Sequence, residues 1–223
     1  MQIALISDLH LNRPEHADAD ENLADHLALL CTIYDQVVLV GDVLEMYAAP
    51  GNKLGFFQTL RRRWPATIHV IETNDKIRLV NGNHDDGCLS FFYGKKPANF
   101  LVIDGYAVLH GHQADRLFNA RAAESVSEFF CRCAFRLESV LRTYNLTRWL
   151  IDRQRRQRLG ADAQRRYAES FLAANAEIRG IIMGHTHIPL MEFFGSQIYL
   201  NTGTYQRRDV FLLDTATGAV DKL

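Results

Sequence analysis

Five times along this chain, a run of aliphatic and β-branched residues gives way at once to a cluster of Asp, Asn or His. Residues 3–7 lead into Asp8-Leu9-His10, and residues 37–40 into Gly41-Asp42. Residues 77–80 lead into Gly82-Asn83-His84-Asp85, residues 100–109 into His110-Gly111-His112, and residues 180–183 into Gly184-His185-Thr186-His187. Each run has strand length and composition. Three more such runs lie at 67–71, 197–200 and 210–213. Residues 22–31 and 54–63 read as helices between the early strands, and this alternation points to an α/β core. In such a core, ligand sites collect in the loops at strand ends, where side chains leave the packed layers and can converge.

The stretch from about 117 to 175 differs. Val126, Phe129, Phe130, Cys133, Leu137, Val140, Leu141 and Tyr144 recur at three- and four-residue steps, the period of an amphipathic helix. Further helices are expected at 147–159 and, capped by Asp162, at 163–175. The expected organisation is one domain, residues 1–223, with a helical insertion at about 117–175. A length of 223 residues suits a single domain, and no Pro/Gly/Ser-rich linker, repeat or low-complexity tract divides it. Charge is uneven. Residues 116–166 hold twelve Arg, no Lys and five acids, a balance of +7 in a chain that totals −1. A basic element of this kind either faces an anion or is a solvated helical face.

No apolar run approaches the ~18 residues of a membrane span. The N-terminal residues lack the basic-then-apolar form of a signal peptide, so the expected location is cytoplasmic. Cys31, Cys88, Cys131 and Cys133 lack the paired CxxC spacing of a zinc site and are expected to be reduced thiols at packing positions.

Six of the nine histidines lie in the clusters above; His16, His26 and His69 lie outside them and are expected at surface or packing positions. In an extended segment, residues i and i+2 point to one side, so Asp8 and His10, or His185 and His187, can reach one ion together. A lone Asp-x-His is more often structural, but five clusters in order, each after a strand, point to a metal centre. Carboxylates, imidazoles and one amide oxygen, without thiolate, suit Mn²⁺, Fe²⁺, Co²⁺ or Zn²⁺. Two such ions about 3.5–4 Å apart clamp a phosphoryl group and lower the pKa of a shared water.

The order D-x-H, G-D, G-N-H-D, H-G-H, G-H-x-H resembles the signature of the calcineurin-like metallophosphoesterases and runs from Asp8 to His187. The resemblance implies an α/β fold in four layers, two packed mixed β-sheets flanked by helices. It implies hydrolysis of a phosphodiester or pyrophosphate bond by metal-activated hydroxide. One ion would take Asp8, His10, Asp42 and His187; the other would take Asp42, Asn83, His110 and His185, with Asp42 bridging. His84 would contact the phosphate and protonate the leaving group, a role suited to a side chain that titrates near neutrality. Asp85 either orients His84 or caps the next segment. The implied cofactors are two divalent transition-metal ions, Mn²⁺ first, with Fe, Zn, Co and Ni also accepted by this ligand set.

Within that superfamily, Asp8-Leu9-His10-Leu11, Gly41-Asp42-Val43-Leu44-Glu45 and Gly184-His185-Thr186-His187-Ile188-Pro189 resemble the UDP-2,3-diacylglucosamine pyrophosphatase branch and its wider homologues. Asn201-Thr202-Gly203-Thr204 and the helical insertion resemble it too. That branch cleaves a lipid A precursor in Gram-negative bacteria. His84 and His112 depart from it, standing where the branch typically has Arg and Asp, and both changes move toward a general phosphodiesterase pattern. The implied partner is a phosphate-ester or nucleotide-diphosphate substrate, gripped by Arg forks, with peripheral lipid contact at the inner membrane surface. Alternatives are an enzyme of small soluble phosphate esters, a nuclease whose basic helices track phosphates, and a non-catalytic scaffold of the same fold. Missing aromatic–basic clusters speak against nucleic acid; the filled ligand positions and His84 speak against the scaffold.

Overall fold

Continuous apolar runs, rather than alternating ones, are what a strand needs when both its faces are covered, and the computed structural model covers them. It describes residues 1–12, 20–46, 52–114 and 159–223. In chain order the described elements are β1 (Gln2–Ile6), α1 (Asp20–Ile33), β2 (Gln36–Val40), α2 (Lys53–Arg63), α3 (Pro65–Thr73), β3 (Ile77–Val80), β4 (Leu101–Ile103) and β5 (Tyr106–Val108). They continue with α4 (Leu159–Ala174), β6 (Gly180–Met183), β7 (Leu190–Phe194), β8 (Gln197–Asn201), β9 (Phe211–Asp214) and β10 (Val220–Lys222).

Two five-stranded mixed sheets result, in the orders β10-β9-β1-β2-β3 and β4-β5-β6-β8-β7. The centre of each is parallel: β1, β2 and β3 in the first, and β5, β6 and β8 in the second. Ile3, Leu5, Val38, Val40 and Val80 meet Val108, Ile182, Ile198 and Leu200 between the sheets. The first sheet's outer face (Ala4, Ile6, Val37, Leu39, Leu79) packs on Leu23 and Leu27 of α1, Leu60 of α2 and Ile68 of α3. On the far side, Ala107, Ile181, Met183 and Tyr199 receive Ala168 and Leu172 of α4. The chain is thus an α/β protein in four layers. Fully burying one of these aliphatic side chains contributes about 1.5–3 kcal/mol, so the sandwich rests on the strand cores while the loops at its edge are left for chemistry.

Two expectations need correction. Residues 67–71, expected as a strand, lie within the helix α3. Pro65 starts that helix, and Thr67, Ile68 and Ile71 share its buried face at helical spacing. The Asp20 carboxylate accepts from the N–H groups of Ala66 and Thr67 at 2.7 and 2.9 Å, satisfying first-turn donors from another helix. The run 100–109 is a hairpin, broken at Asp104-Gly105, where φ values of 48° and 83° make a two-residue turn of the type that suits antiparallel strands. Strands β7 and β10 were not anticipated.

α4 accounts for residues 159–174 of the expected insertion and packs as the fourth layer. The helix expected near 126–144 and all but the last residue of that expected at 147–159, with Cys131, Cys133, His16 and ten of the twelve Arg of residues 116–166, lie outside the described residues. Cys31 and Cys88 are buried free thiols in the helix-side core. His69 is exposed, and His26 packs against Tyr205 with Nδ1 2.8 Å from its hydroxyl. Among the described residues, no helix is long and apolar enough to cross a membrane.

Candidate metal centre

All five clusters sit at the C-terminal ends of parallel strands, and those ends lie at the same edge of the sandwich. Asp8 and His10 follow β1, Asp42 follows β2, Asn83 and His84 follow β3, His110 follows β5, and His185 and His187 follow β6. His187 Nε2 stands 2.9 Å from Asp8 Oδ1, although 179 residues separate them in sequence. His10 Nε2 lies 3.3 Å from His187 Nε2, 3.6 Å from Asp8 Oδ1 and 3.8 Å from Asp42 Oδ2. Across the cleft, His110 Nε2 is 3.2 Å from the same Asp42 Oδ2, and the His110 and His185 rings are 5.2 Å apart. Donor atoms of Asp8, His10 and His187 lie within 4.8 Å of one another, as do those of Asp42, His110 and His185.

The expected route to this geometry was an extended D-x-H segment. The structure shows otherwise. β1 stops at Ile6 and β6 at Met183, and Asp8, His10, Asp42, His185 and His187 all have positive φ, between 49° and 71°. Asp, Asn and His enter the left-handed region more readily than other non-glycine residues, at about 1–2 kcal/mol each. Such conformations persist where surrounding bonds over-determine them, and they concentrate at functional sites. Close approach does the rest. A Cβ on Gly82 would lie 2.1 Å from Asp42 Oδ1, and one on Gly184 2.7 Å from Asp8 Oδ2.

The second ring nitrogens of His110, His10 and His84 face groups behind the cluster. His110 Nδ1 is 2.8 Å from the Val40 carbonyl; a carbonyl only accepts, so Nδ1 carries a proton, and the ring is held with Nε2 facing Asp42 in the cluster. His10 Nδ1 is 3.2 Å from Glu45 Oε2, and His84 Nδ1 is 2.8 Å from Glu45 Oε1. Glu45 is buried and holds two histidines with one carboxylate. It escaped selection as a site residue, although the spacing Gly-Asp-x-x-Glu placed an acid at this strand exit. His84 keeps partial exposure, with Nε2 3.9 Å from Asp42 Oδ2 and its backbone N–H donating to Asp42 Oδ1 at 2.8 Å.

Asp85 takes neither role expected of it. Its carboxylate turns inward and accepts from the backbone N–H groups of Gly82, Leu44 and Asp42 at 2.7, 2.8 and 2.9 Å, lacing the Asp42 loop to the Asn83 turn. Burial and the Asp42 charge push Asp85 up to about 8, against the N–H groups of Leu44 and Gly82 and the nearby His110. For Asp42 itself, burial raises the carboxyl but is outweighed by His110, His84 and His10, which hold it well below the usual range. Burial likewise works against Asp8 and is outweighed by His187 and its neighbours. Burial disfavours charge on His110, yet the Asp42 charge and hydrogen bonding lift it to about 10. His112 stands beside the cluster, its ring 5.6 Å from that of His110 and 6.3 Å from that of His185.

These donors fit a divalent cation. Buried oxygens of Asp8 and Asp42 stand 2.9–3.8 Å from nitrogens of His10, His110 and His187, close enough for an ion to replace the protons that such pairs otherwise share. Two packed mixed sheets with such a cluster at their common edge have the architecture of a metallophosphoesterase. Residues 1–218 match the family described as the calcineurin-like phosphoesterase superfamily domain, and the chain belongs to that superfamily. It is a metal-dependent phosphoesterase, a hydrolase of phosphoric esters.

No curated protein matches the chain significantly. Among solved structures, an archaeal phosphodiesterase is 15% identical with a TM-score of 0.50, covering 100% of this chain and 99% of that one. Yfce, a phosphoesterase from E. coli, is 15% identical with a TM-score of 0.47, covering 100% and 98%. Vacuolar Protein Sorting 29 from Cryptosporidium parvum is 12% identical with a TM-score of 0.44, covering 100% and 95%. At such identities the likeness is one of fold.

Proposed function

We propose that this enzyme hydrolyses a phosphodiester or pyrophosphate bond at a dinuclear centre. One ion is held by Asp8, His10, Asp42 and His187, and the other by Asp42, Asn83, His110 and His185. The supporting observation is Asp42 Oδ2, which faces His10 Nε2 at 3.8 Å and His110 Nε2 at 3.2 Å and so looks into both groups. Two divalent ions, when bound, supply a Lewis-acidic clamp on phosphoryl oxygens and a water of lowered pKa. The ligand set favours Mn²⁺, Fe, Zn, Co or Ni over softer ions.

The chain's own residues supply positioning and the proton. Glu45 accepts from His84 Nδ1 and leaves Nε2 toward the cleft, where it can hold a proton for the departing oxygen. Asp85 and Val40 hold Asp42 and His110 in place from behind. We read residues 1–223 as one domain carrying a basic insertion. The +7 balance of residues 116–166 supports an anionic substrate larger than a simple phosphomonoester. The substrate class we propose is a nucleotide-linked pyrophosphate, as in the UDP-2,3-diacylglucosamine pyrophosphatase branch, met at the inner face of a membrane. His84 and His112 favour a second reading, a phosphodiesterase of small soluble esters.

A screen of purified protein with Mn²⁺ separates these readings. Nucleotide-sugar pyrophosphates should be cleaved with higher kcat/KM than phosphomonoesters or a chromogenic diester. Replacing Arg153, Arg155, Arg156 and Arg158 with Gln should lower that advantage and leave the small diester nearly unaffected, because remote binding energy serves only the large substrate. A wild-type preference for the small diester would select the second reading.

A further inference from the structure

Gln164 lies in α4, remote in sequence from every cluster, yet it is 1% exposed and ends among the loops of the second sheet. Its Oε1 accepts from Asn201 Nδ2 at 2.7 Å and from the Tyr199 hydroxyl at 3.1 Å. Its Nε2 donates to the Gly184 carbonyl at 3.2 Å, one residue before His185. The same nitrogen lies against Gly111, one residue after His110, where an added Cβ would come within 2.3 Å of it. Gly184 N–H in turn donates to the His110 carbonyl at 2.9 Å. One side-chain amide therefore touches both glycines that flank the imidazoles of the Asp42–His110–His185 group.

Asn201 extends the same brace. Its Nδ2 also reaches the Gly184 carbonyl at 2.7 Å and Thr186 Oγ1 at 3.0 Å, and its Oδ1 accepts from Gly203 N–H at 2.9 Å. Thr186 sits between His185 and His187, both left-handed, so the hydrogen bonds to its side chain and to the Gly184 carbonyl fall on the loop that needs holding. The Asp8–His10–His187 group has other supports: His10 leans on Glu45, and His187 meets Asp8 directly.

We propose that Gln164 is a positioning residue, acting through Gly184 and Asn201, that sets the spacing of His110 and His185 and thereby the affinity of the Asp42–His110–His185 group for its ion, separately from the Asp8–His10–His187 group. The proposal rests on the dinuclear reading above. Groups that orient metal-binding side chains from behind typically change metal affinity or activity by about 10–100-fold when removed.

The experiment is Mn²⁺ titration of metal-free protein by calorimetry, with electron paramagnetic resonance at each stoichiometry and kcat and KM on a small diester. Wild type should bind two Mn²⁺ with a spin-coupled signal. Gln164→Leu should bind the first ion as wild type does and the second about 10–100-fold more weakly. An isolated Mn²⁺ spectrum should replace the coupled one, and kcat should fall with little change in KM. Circular dichroism and thermal unfolding of the metal-free proteins report on folding. If Gln164→Leu is unfolded, Gln164→Glu, which keeps the acceptor for Asn201 and loses the donor to Gly184, carries the same expectation. Wild-type affinities and a coupled spectrum in a folded variant would overturn the proposal, as would equal weakening of both ions with a lowered Tm. A wild type that binds fewer than two ions would instead overturn the dinuclear reading itself.

Discussion

β1, β2 and β3 end in Asp8, His10, Asp42, Asn83 and His84, whereas β5 and β6 end in His110, His112, His185 and His187. The two sheets have the same parallel centre, but among the described residues the first wall of the cleft carries the buried carboxylates that line it and the second carries imidazoles. Asp8, Asp42, Glu45 and Asp85 are each no more than 1% exposed. So many acids cannot be buried ionised together: Asp85 is pushed up to about 8, and the others need something positive beside them. Without an ion, protonated imidazoles do so, which is why His110 is raised to about 10. The walls are also braced differently. The carboxylate wall is laced by Asp85 to backbone N–H groups, the imidazole wall by the side-chain amides of Gln164 and Asn201. Carboxylate charge sits on one side and imidazole nitrogens on the other, so a cation that displaces the imidazole proton is most stable where they meet.

Removing the carboxylate that faces both groups is expected to break this arrangement most completely. Asp42→Ala should lose both ions by elemental analysis, with turnover at background; wild-type metal content in that variant would mean Asp42 does not join the two walls. His84→Ala tests the carboxylate wall's catalytic edge rather than its charge. It should keep its metals and lose about 10²–10⁴-fold in kcat, less on substrates with good leaving groups. Unchanged turnover on a poor leaving group would remove His84 from the chemistry.

Glu45→Gln keeps the volume but weakens the hold on His10 and His84 together. A loss of about 10–100-fold in kcat/KM is expected, with steady-state kinetics as the check. The mildest perturbation is pH, which acts on the imidazole wall without changing a residue. His110, raised to about 10 in the metal-free protein, is protonated at neutral pH and must release that proton to bind an ion. Mn²⁺ affinity should therefore rise about tenfold per pH unit through the neutral range and level off above the His110 pKa. Calorimetry across pH would show it; a flat profile would mean that His110 does not exchange its proton for the metal.

Much of the carboxylate wall was legible in the sequence because Asp8, His10, Asp42, Asn83 and His84 directly follow strong apolar runs. Glu45 and Asp85 were harder to read. Each is an acid in a loop, and only packing shows that one turns toward two imidazoles while the other turns back onto three amides. Gln164 gave no local signal, since a glutamine in an amphipathic helix reads as surface, and Asn201 stood out only as part of Asn201-Thr202-Gly203-Thr204, with no role read for it. The expected strand at 67–71 failed because β-branched residues also fill the buried face of a short helix once Pro65 starts it and Asp20 satisfies its first N–H groups.

Strand cores, their clusters and the order of those clusters are properties of the amino-acid sequence alone, because burial on both faces demands unbroken apolar runs and a break in the run marks where the chain leaves the layer. The conformation at those breaks belongs to the tertiary structure. Asp8 and His187 meet at 2.9 Å only because two sheets pack face to face with the C-terminal ends of their parallel strands at one edge. Asp8, His10, Asp42, His185 and His187 are left-handed only because bonds from distant residues outweigh a local preference of about 1–2 kcal/mol each.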